Sequence, residues 1–262
     1  MFNGLDFIYG EGASEDYGVK ILDFEGTGKF STNILSPTLI TSRPSTSPRF
    51  FKVGSKYESP PEFDLTIVSE TALDDDDRRS ILSWLYNRNE FQEFWVLQDD
   101  LEDYYYMCIF TKVDAIYING KCYGFTLTGV LDSPYQHGYP ATSAIVANGD
   151  AVQSVTVRNN SDILDGYVCP KVTISKPATT AAGTLRVGSM YIQYGTQAQT
   201  IVIDCEKKTI TSNYLPYSLS NFSGSWLKLP CGGEGYSILL VVSAPATTTI
   251  TVECPTYVLV GF

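Results

Sequence analysis

His137 is the only histidine in a chain of 262 residues, so any relay that needs an imidazole base must pass through it. It stands among Tyr135, Gln136, Gly138 and Tyr139, and no Gly-x-Ser-x-Gly turn elsewhere presents a nucleophile. A packing or solvated role suits that setting better than proton transfer. Six cysteines, at 108, 122, 169, 205, 231 and 254, form no Cys-x-x-Cys pair, whereas a zinc site needs clustered ligands. They read as small buried hydrophobes. Asp74-Asp75-Asp76-Asp77 suggests a cation site until it is placed at a helix start, where four carboxylates fan apart. There they cap orphan backbone donors and meet the positive end of the helix dipole. The acidic turn Asp99-Asp100-Leu101-Glu102-Asp103 lacks the glycine-containing spacing of a calcium loop. Gly232-Gly233-Glu234-Gly235 lacks the lysine and following helix of a phosphate loop. Paired carboxylates for glycoside cleavage are a matter of geometry, and nothing nominates a pair. The sequence assigns no catalytic, cofactor-binding or metal-binding residue, and it points away from an enzyme.

Charge is placed unevenly. Residues 1–139 hold 22 Asp and Glu against 11 Lys and Arg, whereas 140–262 hold 7 of each. An acidic surface repels phosphate backbones, so adhesive nucleic-acid binding is not expected. Apolar residues at 44% suffice for a core, and charged residues at only 18% argue against disorder. No run approaches the ~20 apolar residues that span a bilayer. The start Met1-Phe2-Asn3-Gly4 lacks a basic and then apolar signal region. The expectation is a soluble protein made in a cytoplasm, without membrane insertion.

The elements that would position these groups are mostly strands. Glu62 to Ser69 alternates Phe63, Leu65 and Ile67 on one face. The one convincing helix runs over about 75–87, with Ile81, Leu82 and Leu85 as its apolar stripe, Trp84 at the edge and Asn87 or Asn89 at its end. Asn119-Gly120 predicts a two-residue hairpin turn that sets Tyr117 opposite Cys122 and Cys108 opposite Leu131. Residues 36–61 carry Pro37, Pro44, Pro48, Pro60 and Pro61. Proline has no donor for a ladder, so this stretch is an arm or loop and not a central strand. Residues 134–143 read as the linker, after which about eight short strands at near-regular spacing predict a sandwich or jelly roll. The closing run Tyr257-Val258-Leu259-Val260-Gly261-Phe262 is apolar on both faces and should be paired and covered.

Taken in order, these residues resemble the distal tail proteins of long-tailed bacteriophages. The likeness rests on Phe2-Asn3-Gly4, Asp16-Tyr17-Gly18-Val19, the helix ending in Trp84-Leu85, and Gly124-Phe125 leading to Asp132-Ser133-Pro134-Tyr135. In the second half it rests on Val202-Ile203-Asp204 with Thr209-Ile210-Thr211, and on Trp226-Leu227-Lys228-Leu229-Pro230. The resemblance implies a mainly β protein. Residues 1–139 would form a β-sandwich or split-barrel domain of tail-tube type with one α-helix, and 140–262 a galectin-like or jelly-roll β-sandwich. It implies a structural baseplate component of the virion, synthesised in the bacterial host cytoplasm and located at the tail tip. A homohexameric ring would connect the viral tail tube to the host-adsorption apparatus. Partners implied are the tail tube protein, tape-measure protein, tail-associated hub or lysin protein and receptor-binding proteins, with DNA passing through the ring unbound. The competing reading is a carbohydrate-binding sandwich attaching to cell-wall glycans, with Trp226 and Tyr191, Tyr194 or Tyr236 as its aromatic platform.

Overall fold

The structure, a computed structural model, describes residues 4–22, 38–43, 49–56, 59–86, 88–98, 103–163, 166–214, 219–232 and 236–258. A turn that the sequence predicts at Glu25-Gly26 lies outside the described residues, as do Asn87, the acidic turn apart from Asp103, the glycine turn beyond Gly232 and the closing run from Leu259. The chain divides into two units between His137 and Gly138.

The first unit contains β1 (Gly4–Tyr9), β2 (Gly12–Ala13), β3 (Lys20–Leu22), β4 (Thr38–Ser42), β5 (Phe51–Lys56) and β6 (Glu62–Leu73). Helix α1 (Asp75–Leu85) then precedes β7 (Gln92–Leu97), β8 (Tyr104–Ile118) and β9 (Lys121–Leu131). Six strands follow the order β8-β7-β1-β3-β6-β9, and β9 pairs back onto β8, so the sheet closes on itself as a barrel. Closure removes the open edges that a flat sheet would expose. Phe63, Leu65 and Ile67 of β6 all point into the core, as their period-two spacing requires. In the β8–β9 hairpin, Asn119 and Gly120 both take positive φ (51° and 78°), the backbone a tight hairpin turn demands. Tyr117 faces Cys122 and Cys108 faces Leu131, yet the ladder between them holds two bulges. Thr111 is the extra residue on β8 and Tyr123 the extra residue on β9, so the two displacements cancel.

Helix α1 is capped as its sequence dictates. The Asp74 carboxylate accepts from the backbone N–H groups of Asp76 (2.9 Å) and Asp77 (2.8 Å), while Asp77 accepts from the Asp74 N–H. Arg78 pairs with Asp75 and Arg79 with Asp76, each three residues back along the helix. The apolar face also differs from the sequence reading. Ile81, Trp84 and Leu85 are buried, whereas Leu82 is 37% exposed. Trp84 is the centre of the face and not its edge, because partners distant in sequence receive it. Its ring lies between Tyr17 (4.2 Å between centroids, 3° between planes) and Phe7 (5.3 Å, 15°). Its indole N–H donates to the Tyr9 carbonyl at 2.9 Å. Gly12 makes room: a Cβ there would sit 2.4 Å from Nε1.

The second unit contains β10 (Gln136–Val146), which begins at the division, then β11 (Gly149–Asn159), β12 (Tyr167–Val168), β13 (Lys171–Lys176), β14 (Gly183–Val187) and β15 (Met190–Tyr194). These are followed by β16 (Gln199–Asp204), β17 (Thr209–Ser212), β18 (Phe222–Gly224), β19 (Leu229–Pro230), β20 (Tyr236–Ala244) and β21 (Thr249–Val258). One sheet runs β17-β16-β13-β21-β10 and a second β11-β20-β14-β15-β18, with β12 paired to β19. Aligned residues such as Ile201, Ile174 and Ile250, and Ile203, Val172 and Val252, form buried rows across β16, β13 and β21. Most of the expected linker is therefore strand. Its prolines and glycine mask a period-two pattern in which Ala141 and Ile145 pack toward the sandwich core while Thr142 and Ala144 are exposed.

Candidate functional site

His137 Nε2 lies 3.1 Å from the Asp132 carboxylate, and its ring stacks on Tyr105 at 5.4 Å. All six cysteines are free thiols, four buried and two half-buried. Burial pushes Cys205 and Cys254 up to about 12, and raises Cys108 further still. Such thiols are poor nucleophiles. Among the described residues no group of three His, Cys, Asp or Glu side chains is placed to hold a metal ion. Nor is any described helix long and apolar enough to cross a membrane.

Three of the aromatic residues named for the competing glycan reading, Trp226, Tyr191 and Tyr194, have close neighbours within the second unit. Trp226 stacks on Phe222 at 4.4 Å, and both pack against the sandwich core. Arg186 covers Tyr191 at 5.6 Å, and the Lys176 ammonium covers Tyr194 at 5.0 Å. Desolvation by these surroundings lowers the Lys176 pKa.

The first unit exposes several large apolar side chains. Strands β4 and β5 form a separate two-stranded ribbon in which Thr38 pairs with Lys56 and Ser42 with Phe51. At its far end Phe50 is 66% and Phe51 52% exposed, with the Arg43 guanidinium 5.5 Å from the Phe50 ring centre. The arm read from the prolines is thus a β-ribbon, set apart from the barrel's own ladder. A second exposed element is the β8–β9 tip, where Tyr117 and Ile118 are exposed and Arg78 donates to the Tyr117 hydroxyl at 2.9 Å.

A third feature is an open cleft of about 580 Å³ beside β3 and β6. Val19 and Leu73 contribute apolar surface, and Asp6, Glu15, Glu70 and Asp77 supply four carboxylates against the single amine of Lys20. Asp6 is tied inward, accepting from Lys20 Nζ at 2.8 Å and from the Ser14 hydroxyl at 3.2 Å. That hydrogen bond, with the charges of Asp6, Glu15 and Glu70, raises the Lys20 pKa. Sequence reading missed the cleft because its acids come from positions as far apart as 6, 15 and 70.

The profile of the phage tail protein N-terminal domain family matches residues 2–133. The chain belongs to that family and is a phage tail protein. No curated protein sequence matches it. Among solved structures, it is similar to the SPP1 Dit (gp 19.1) protein, described as a paradigm of the hub adsorption apparatus in phages infecting Gram-positive hosts. The TM-score is 0.62 at 13% identity, over 97% of this chain and 99% of that one. A chain of the phage P2 baseplate in its activated conformation with Ca also aligns, with a TM-score of 0.48 and 12% identity over 96% of this chain and 98% of that one. At such identities the likeness to SPP1 Dit is one of fold; this chain is mainly β, with one α-helix among the described residues.

Proposed function

We propose that this phage tail protein is a structural hub of the tail tip, a distal tail protein whose first unit assembles as a homohexameric ring. The ring joins the tail tube to the host-adsorption apparatus. Its neighbours are the tube, tape-measure, hub or lysin and receptor-binding proteins, and DNA passes through its opening unbound. The observation that carries the reading is the end-to-end fold likeness to the SPP1 hub protein in a chain whose first half belongs to a tail-protein family. The exposed ribbon and hairpin tip supply contact surface for assembly, and the acidic balance of residues 1–139 suits a channel that DNA traverses without adhering. The role is architectural and needs no catalytic residue.

Negative-stain microscopy of the full chain, alone and mixed with tail tube protein, tests this. Six-fold annuli with a central opening are expected, with interfaces of obligate size, on the order of 2,000 Å² or more. Monomers or another symmetry in both preparations would refute the ring.

A further inference from the structure

The ribbon and the cleft match in charge, in apolar surface and in backbone. Strands β4 and β5 pair only with each other among the described residues, and a lone two-stranded ribbon is marginal in water. Its outer edges and the Phe50 and Phe51 side chains call for a covering surface. Residues 38–56 include Arg43, Arg49, Lys52 and Lys56 and no acidic residue. The cleft is lined by charge of the opposite sign and by the apolar side chains of Val19, Val68 and Leu73.

The backbone of the cleft adds a third match. Strand β6 pairs with β3 at Ile67 and Val68, and with β9 up to Val68 and again at Leu73. Between those points residues 69–72 have no strand partner among the described residues, and Ser69, Glu70 and Thr71 line the cleft. An unpaired strand segment accepts an added strand through main-chain hydrogen bonds, and neighbouring side chains give the selectivity.

Position decides which copy is involved. The base of the ribbon leads into β6 at Glu62, while the cleft sits near Glu70. Eight residues of extended strand separate them, about 26 Å at ~3.3 Å per residue. A segment leaving one end of the barrel and a receptor at the other make a head-to-tail contact between copies. Contacts of that kind close into rings when the rotation permits.

We propose that the β4–β5 ribbon of one copy docks in the acidic cleft of a second copy, adding a strand to residues 69–72 of β6. Phe50 and Phe51 cover the apolar part of the cleft, and Arg43 and Arg49 face Glu15 and Glu70. This rests on the ring reading and deepens it by naming both sides of a contact between subunits.

The test is photo-crosslinking of the full chain with benzoylphenylalanine at position 50, in a mixture of copies with natural and heavy nitrogen. Crosslinks between differently labelled copies are expected at residues 15–20 or 68–73. Arg43→Glu with Arg49→Glu should lower their yield at least tenfold, and adding Glu15→Arg with Glu70→Arg should restore it. Crosslinks confined to one copy, crosslinks to another surface, or none at all would overturn the docking. Because the parent crosslinks are mapped directly, a misfolded variant does not spare the proposal. Six-fold annuli with position 50 crosslinked elsewhere would sink the docking and leave the ring. Cleft crosslinks without annuli would sink the ring and leave the docking.

Discussion

Replacing Trp84 with alanine is the sharpest probe of how the first unit is held together. The side chain is 4% exposed, lies between two aromatic rings and donates one hydrogen bond to a buried carbonyl. Burying a ring system of this size removes on the order of 200 Å² from water. At ~25 cal/mol/Å² that corresponds to about 5 kcal/mol, of which an alanine keeps a small part. The vacated space and the unpaired Tyr9 carbonyl add to the loss, so Trp84→Ala should cost about 4–5 kcal/mol. Trp84→Phe keeps most of the stacking and loses the N–H donor, a cost of about 2 kcal/mol. Leu82→Ala, two residues back and on the exposed side of the helix, should cost under about 1 kcal/mol. Urea unfolding read by hydrogen-exchange mass spectrometry on peptides from β1, β7 and α1 measures all three. A loss below about 2 kcal/mol for Trp84→Ala, or an equal loss for Leu82→Ala, would refute the placement of Trp84 at the centre of the helix–barrel contact.

Asp74→Ala removes the acceptor for two backbone donors and should destabilise α1 by about 1 kcal/mol, visible as faster exchange of the Asp76 and Asp77 amides. Gly124→Ala places a Cβ 2.1 Å from the Ile67 carbonyl oxygen. The strands must part there, so a loss of about 2–3 kcal/mol and a lower yield of soluble protein are expected. The buried thiols give a pH dependence with a definite sign. Cys205 is raised to about 12 in the folded chain from its ordinary 9.0, so its contribution is full below pH 9 and is lost as pH climbs toward 12. In that window the unfolded chain surrenders the proton first, and stability should fall by about 1.4 kcal/mol per pH unit for this group. Cys205→Ala should flatten the urea-midpoint profile by that slope; parallel profiles would contradict it.

Features set by near neighbours in sequence were legible. The Asn119-Gly120 turn, the alternation of β6 and the aspartate cap each depend on residues within a few positions of one another. What escaped depends on distant partners. The position of Trp84 is decided by Gly12 and Tyr17, some seventy residues earlier, and barrel closure by β8 pairing with both β7 and β9. Strand β14 presents only Leu185 and Val187 to the core, too short an alternation to stand out from its glycine and threonine. Among the described residues of 36–61 the prolines correctly marked a stretch outside the central sheet, yet said nothing of the ribbon formed by Thr38–Ser42 and Phe51–Lys56. The cleft was invisible for the same reason, since its rim is assembled by folding.

The paired displacements at Thr111 and Tyr123 restrict how the β8–β9 hairpin can change length. Deleting either residue alone would turn the intervening ladder inside out, sending side chains that now meet the core toward solvent. Deleting both would leave every cross-strand partner between 112 and 128 matched as before. Variants of this hairpin in related tails should therefore gain or lose residues in compensating pairs, one from each arm.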